Sequence, residues 1–163
     1  MKITEFKVSE LAVEDVVPHS RKMVFLERLI SANDDHVMAS LRITDDTYFI
    51  RDGQVPAWVG IEYMAQSIAA YAGIQAKGKG EPVKVGLLLG SRRYTSKVSS
   101  FALGQTLFVS AKPLHNEESG LGVFECAIYP ANENEECADE PWVTANLNVY
   151  QPHDVDAFLA GES

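Results

Sequence analysis

The chain has 163 residues, with 23 acids against 14 Lys and Arg, a formal net charge of −9, and 46% of its residues are apolar. That length suits one domain over residues 1–163, and the apolar share is enough for a real core, unlike a disordered, collagenous or coiled-coil chain. An acidic surface of this kind repels a phosphate backbone, which argues against nucleic acid as a partner.

No stretch approaches the roughly 20 apolar residues of a membrane span. The opening MKITEFKVSELAVEDVV carries acids and no continuous apolar block, so it does not read as a signal peptide. The spacing over residues 4–16 predicts a short helix or an irregular arm, stopped by Pro18. Met23–Ile30 is strongly apolar and predicts a strand. Asn33-Asp34-Asp35 predicts a turn. His36–Thr44 alternates, with Val37, Ala39, Leu41 and Ile43 on one side, and predicts a second strand paired to the first. Residues 47–56 read as a loop.

From Pro56 the pattern becomes helical, and a long helix is predicted over 56–76. Ile61, Met64, Ala65, Ile68 and Ala72 form one stripe, and Val59, Gly60, Ala69 and Ala70 keep the rest of the circumference small or apolar. Such a helix is buried on nearly every side. Gly78 or Gly80 is placed to stop it. Val83–Gly90 reads as a central strand, continued by Arg92–Ser99 after a bend at Gly90-Ser91. Leu103-Gly104-Gln105 is a turn. Thr106–Lys112, Gly122–Tyr129 and Trp142–Tyr150 alternate as strands, and Asn132–Pro141 is an acidic, solvated loop. Asp154–Leu159 is expected to form one terminal turn of helix. The fold class is therefore α+β, a curved antiparallel sheet wrapped around one long central helix.

Cys126 lies in an alternating run and is expected as a buried free thiol, which suits a reducing compartment. Residues 77–97 hold Lys77, Lys79, Lys84, Arg92, Arg93 and Lys97 against the single acid Glu81, whereas residues 114–163 hold eleven acids and no Lys or Arg. Either two faces are differently solvated, or a basic patch receives an anionic ligand or an acidic protein. There is no phosphate-binding glycine motif behind a strand, no His-Glu-x-x-His, no Cys-x-x-Cys and no Gly-x-Ser-x-Gly. No cofactor and no metal is expected. Glu62 and Gln66 are the polar residues that ask for a reason, standing four apart on an otherwise apolar helix. Glu62 is either a first-turn residue favoured by the helix dipole or a carboxylate lining a pocket. His19 reads as a loop histidine, and His36, His115 and His153 as surface residues.

The segment Pro18-His19-Ser20-Arg21-Lys22-Met23-Val24-Phe25-Leu26-Glu27-Arg28-Leu29 resembles the opening of the β-hydroxyacyl-(acyl carrier protein) dehydratases. Glu62-Tyr63-Met64-Ala65-Gln66 resembles the core of their central helix, Ala102-Leu103-Gly104-Gln105 a turn after their middle strand, and Arg92-Arg93-Tyr94 a charged and aromatic position before it. Val55-Pro56-Ala57-Trp58-Val59-Gly60-Ile61-Glu62, Leu89-Gly90-Ser91-Arg92-Arg93 and Tyr150-Gln151-Pro152 are closer to one branch, the dehydratase-like proteins of aryl polyene lipid clusters in Gram-negative bacteria. The resemblance spans about residues 17–150. It implies a hot-dog fold, a bacterial cytoplasmic enzyme, acyl carrier protein as a partner, and a dimer with itself or with a second hot-dog subunit.

What it implies chemically is dehydration of a 3-hydroxyacyl thioester to the trans-2-enoyl thioester in lipid or aryl polyene biosynthesis, with the substrate carrying its own phosphopantetheine. In that reading His19 is the base and Glu62 orients or protonates the leaving hydroxyl. Gln66 and Gly60 support them, free amides at the helix start meet the thioester oxygen, and Trp58, Arg92, Arg93 and Lys97 receive the substrate or carrier. The family's catalytic histidine, in a Gly-His-Phe-Pro stretch before the helix, has no counterpart here. The stretch is shortened to Gly53-Gln54-Val55-Pro56, and glutamine cannot act as the neutral-pH base that imidazole can. The alternatives are a non-catalytic hot-dog partner in a dehydratase heterodimer, or an acyl thioesterase in which Glu62 activates water.

Overall fold

The computed structural model describes residues 11–17, 24–82 and 86–152. Among them the chain runs α1 (Val13–Val16), β1 (Arg28–Asn33), β2 (His36–Arg42), β3 (Gln54–Pro56), a 3-10 turn at Ala57–Val59, α2 (Gly60–Gly78), β4 (Leu87–Ser96), β5 (Ser100–Ala102), β6 (Thr106–Asn116), β7 (Leu121–Pro130) and β8 (Val143–Tyr150). Six strands form one antiparallel sheet in the order β1-β2-β6-β7-β8-β4, and β3 pairs with β5 in a small separate ribbon. Helix α2 lies across β2, β6 and β7. The expected terminal turn at Asp154–Leu159, the arm before residue 11, Val83–Val85 and the Pro18–Met23 segment with His19 lie outside the described residues.

The core follows from strand alternation. Val37, Ala39 and Leu41 of β2, Leu107, Val109 and Ala111 of β6, and Val143, Ala145 and Leu147 of β8 are buried on the face toward α2. The β1–β2 turn is built as its residues suggest, because Asn33 Oδ1 accepts hydrogen bonds from the amides of Asp35 (2.7 Å) and His36 (3.0 Å). Cys126 is fully buried in β7 as a free thiol, and burial, with a contribution from Glu125, pushes its pKa up.

The end of α2 is set by Gly80. It takes a φ of 71°, while the Gly80 amide bonds the Lys77 carbonyl at 3.1 Å and the Glu81 amide bonds the Ala76 carbonyl at 2.8 Å. This is the paired bonding of a left-handed helix stop. At Gly73 the backbone of α1 presses on the helix. A Cβ there would stand 2.2 Å from the carbonyl oxygen of Val16.

Four expectations are corrected. The first strand begins at Arg28 rather than Met23, because Val24–Glu27 is not strand, with Leu26 buried and the Phe25 amide bonded to a helix side chain. The loop 47–56 ends in β3, whose three residues are too few to show a period. The helix starts at Gly60 after a 3-10 turn and runs on to Gly78. Finally, the apolar run before Gly90 belongs to an edge strand, with Leu88 and Leu89 exposed, and Gly90-Ser91 continues it across a register shift. A continuous apolar run reports that both faces ask for cover, not which chain supplies it.

Helix propensity alone predicts that Gly73→Ala stabilises the protein by about 1 kcal/mol. The approach of Val16 predicts the opposite sign, a loss of about 1–3 kcal/mol, measurable as a lower midpoint in urea unfolding.

Candidate active site

The site is assembled where the β3–β5 ribbon feeds the helix. Val55 pairs with Phe101, and both are fully buried. The next residues are tied on two sides. The Ala57 amide donates to the Ser99 carbonyl at 3.0 Å, and the Ala57 carbonyl accepts from the hydroxyl of Tyr94 on β4. Gly60 sits in a crowded spot, since a Cβ there would stand 2.7 Å from Ile128 Cδ1 and 3.0 Å from the Tyr94 hydroxyl and would push these side-chain ends aside. The helix then begins without a side-chain cap, and Glu62 stands exposed in its first turn, where the helix dipole favours a carboxylate.

A groove of about 600 Å³ runs from Glu62 along α2. Its helix wall carries Glu62, Ala65, Ala69, Ala72, Ala76 and Lys79, with Ile68, Tyr71 and Gln75 beside them. Intervals of three and four residues place these on one face, and the distance from Glu62 to Lys79 is roughly 26 Å at 1.5 Å per residue. Leu87 and Leu88 of β4, Phe124 of β7 and Val149 of β8 face them. The alanines leave room where larger side chains would fill the space. Such a channel suits an extended hydrocarbon whose reacting end meets a carboxylate. Glu62 is thus at once a first-turn residue and a groove-lining one.

The other expected site residues fall in distinct places. Gln66 is 2% exposed, and its Oε1 accepts the Phe25 amide at 2.8 Å, which ties it to the chain just after the His19 segment. Gln54 is exposed, its Oε1 accepting from Ser100 Oγ at 2.6 Å. Trp58 is exposed, and its ring lies 5.5 Å from that of Phe49. From there a line of ring contacts continues through Tyr48, Phe25 and Tyr63 to Phe101. Phe49 holds a φ of 67°, which a bulky side chain adopts at a cost. His36 lies near Ser31 in the β1–β2 hairpin, and His115 pairs with Glu117 at 3.4 Å.

Among the described basic residues of 77–97, Lys79 lines the groove, at its far end, and Arg92, Arg93 and Lys97 do not. Arg92 and Arg93 are exposed on β4, just before Tyr94 in the chain. Lys97 pairs with Glu140 at 3.5 Å, with both side chains largely exposed. Among the described residues no group of His, Cys, Asp and Glu could hold a metal ion.

Three features escape a reading of residue types. The alanine stripe shows only when positions 65, 69, 72 and 76 are read as one face. Tyr63 is buried, its hydroxyl has no hydrogen-bond partner among the described residues, and burial pushes its pKa up to about 12. Tyr94 sits against the helix start although it belongs to an edge strand.

Replacing Gln66 with Leu keeps the volume but leaves the Phe25 amide without its acceptor. The expected loss is about 1–3 kcal/mol, read from chemical denaturation, and an unchanged stability would show that the bond holds nothing in place.

The chain was compared with known proteins. The family model described as ApeP dehydratase, ApeP-like, matches residues 11–160. No curated protein matches. A chain of the dehydratase heterocomplex ApeI:P from Xenorhabdus doucetiae is 31% identical, with a TM-score of 0.80, over 94% of this chain and 99% of that one. The zebra fish thioesterase superfamily member 2 (12% identity, TM-score 0.58, 85% of this chain and 89% of that one) shares the fold alone. So does the PaaI protein of the E. coli phenylacetic acid degradation operon (10%, 0.55, 75% and 80%). The six-stranded antiparallel sheet around one long helix is therefore the hot-dog fold, and the chain belongs to the ApeP-like dehydratase family.

Proposed function

We propose that this protein is a subunit of a hot-dog dehydratase that converts a 3-hydroxyacyl thioester on acyl carrier protein to the trans-2-enoyl thioester, in lipid or aryl polyene biosynthesis in the cytoplasm. The observation that carries the reading is Glu62, exposed at the mouth of an alanine-lined groove long enough for an extended chain. The acyl chain lies along Ala65, Ala69 and Ala72, and the thioester carbonyl meets backbone amides at the helix start.

A base takes one proton from C2. The electrons of that C–H bond form the C2–C3 double bond as the C3–O bond breaks. The hydroxyl departs as water with a proton from Glu62, so one water leaves and no electron is gained or lost. His19 is the base in this scheme, a role assigned from sequence. The substrate brings its phosphopantetheine, and no cofactor is required. Arg92, Arg93 and Lys97 meet the phosphate of that arm or the acidic carrier.

A second hot-dog subunit, identical or different, covers the open edge of β4 and the groove. Its support is the exposed Leu88 and Leu89 on that edge and the heterocomplex in which the similar Xenorhabdus chain was solved. A non-catalytic partner role has one observation in its favour. Gln54, at the position of the family histidine, accepts a hydrogen bond from Ser100 Oγ.

Mass spectrometry of a carrier-bound 3-hydroxyacyl substrate separates these readings. With the wild type, alone or mixed with a second hot-dog subunit, loss of one water is expected, slowed at least about 100-fold by His19→Ala or Glu62→Ala. Free acid would indicate a thioesterase. Intact substrate in every mixture would leave the partner role, and full activity in the variants would show that these residues are not the acid and base.

Reversing Arg92, Arg93 and Lys97 to Glu is expected to raise KM for the carrier-bound substrate about tenfold at low salt while sparing a short pantetheine thioester. An unchanged KM would make them ordinary surface charge.

A further inference from the structure

Strand β4 departs from regular pairing where it passes the helix start. Arg92 pairs with Asn146 and Thr95 with Thr144, so Arg93 and Tyr94 together oppose the single residue Ala145. Side chains alternate along a strand, and Ala145 faces inward and is buried. In unbroken register Arg93 would stand opposite Ala145 and point into the molecule, while Tyr94 would point out beside Thr144.

The extra residue reverses this. Arg93 takes a φ of 56° and is exposed, and Tyr94 is turned inward and partly buried. A non-glycine residue adopts that φ only when its surroundings impose it, and bulges on edge strands commonly serve to re-aim a side chain.

What Tyr94 reaches is the Ala57 carbonyl, in the first residue of the turn that opens α2. The same residue's amide is held by Ser99. The turn is thus clamped on both sides, from β4 and from the start of the β5 ribbon. Trp58 follows Ala57 directly, and Glu62 follows one turn later.

We propose that Tyr94 is a positioning residue. Its hydrogen bond to the Ala57 carbonyl, imposed by the bulge at Arg93, fixes the Ala57–Val59 turn and with it the placement of Glu62 and the helix-start amides at the groove mouth. This rests on the reading of that mouth as the dehydration site. Burial raises the pKa of the Tyr94 hydroxyl, so it remains a donor through ordinary assay pH and adds no ionisation of its own to the rate profile.

The test is Tyr94→Phe in the full chain assembled with its hot-dog partner, assayed well below its unfolding midpoint. Misplacing reacting groups by about 1 Å costs up to about 100-fold, so kcat is expected to fall about tenfold while KM stays within about twofold. The shape of the pH profile is expected to stay unchanged. Hydrogen exchange of the amides from Trp58 to Glu62 is expected to quicken. Unchanged exchange there overturns the proposal, and so does faster exchange with an unchanged kcat, the outcome of a purely structural bond. Failure of the dehydratase reading is a separate result, intact substrate with the wild type. The exchange measurement then decides alone, faster exchange supporting the clamp and unchanged exchange overturning it.

Discussion

A helix that is small or apolar on nearly every side is stable in water only where most of its surface is covered. Helix α2 is such a helix, and the rest of the molecule can be read as its cover. The sheet supplies one side through β2, β6 and β7. The short α1 supplies another, close enough at Gly73 that no side chain fits between. The alanine face from Ala65 to Ala76 is left open to the groove, beside the exposed leucines of the β4 edge. The uncovered side and the Glu62 carboxylate coincide, which ties the demand for cover to the proposed chemistry.

The same constraint explains why the polar groups near the helix are either paired or at its rim. Gln66 is buried and gives its oxygen to the Phe25 amide, so a polar side chain in the core becomes a tether for the entering chain. Tyr94 does the equivalent from the other side by holding the Ala57 carbonyl. Glu62 needs no such partner in the single chain because it is exposed.

Much of this was legible in the residues, for local reasons. The β1–β2 turn is carried by one Asn side chain, the helix stop by one glycine, and β2, β6, β7 and β8 by alternation. These signals need no knowledge of distant partners. The rest depended on distant partners. The three-residue β3 exists only because Phe101 lies opposite Val55. The first strand starts late because Gln66 takes the Phe25 amide. The apolar run of β4 reads as central, although β4 lies at the sheet edge with Leu88 and Leu89 exposed.

Within the site, Glu62 could be found because a carboxylate on an apolar helix asks for a reason. The inward turn of Tyr94 could not, because one extra residue in the register decides which side chain faces the core. The Gln66 bond to Phe25 was equally hidden, since the partner is 41 residues away. His19 lies outside the described residues, and its role rests on the sequence alone.

The claim at the centre of this account is that the open alanine face is where the substrate lies and that Glu62 acts there. The most direct measurement is a crystal structure of the protein assembled with its hot-dog partner and a non-reactive 3-hydroxyacyl pantetheine analogue. The account predicts the acyl chain against Ala65, Ala69 and Ala72, with the C3 hydroxyl in hydrogen-bond reach of the Glu62 carboxyl. An analogue bound elsewhere, with Glu62 facing bulk solvent in the assembly, would contradict it.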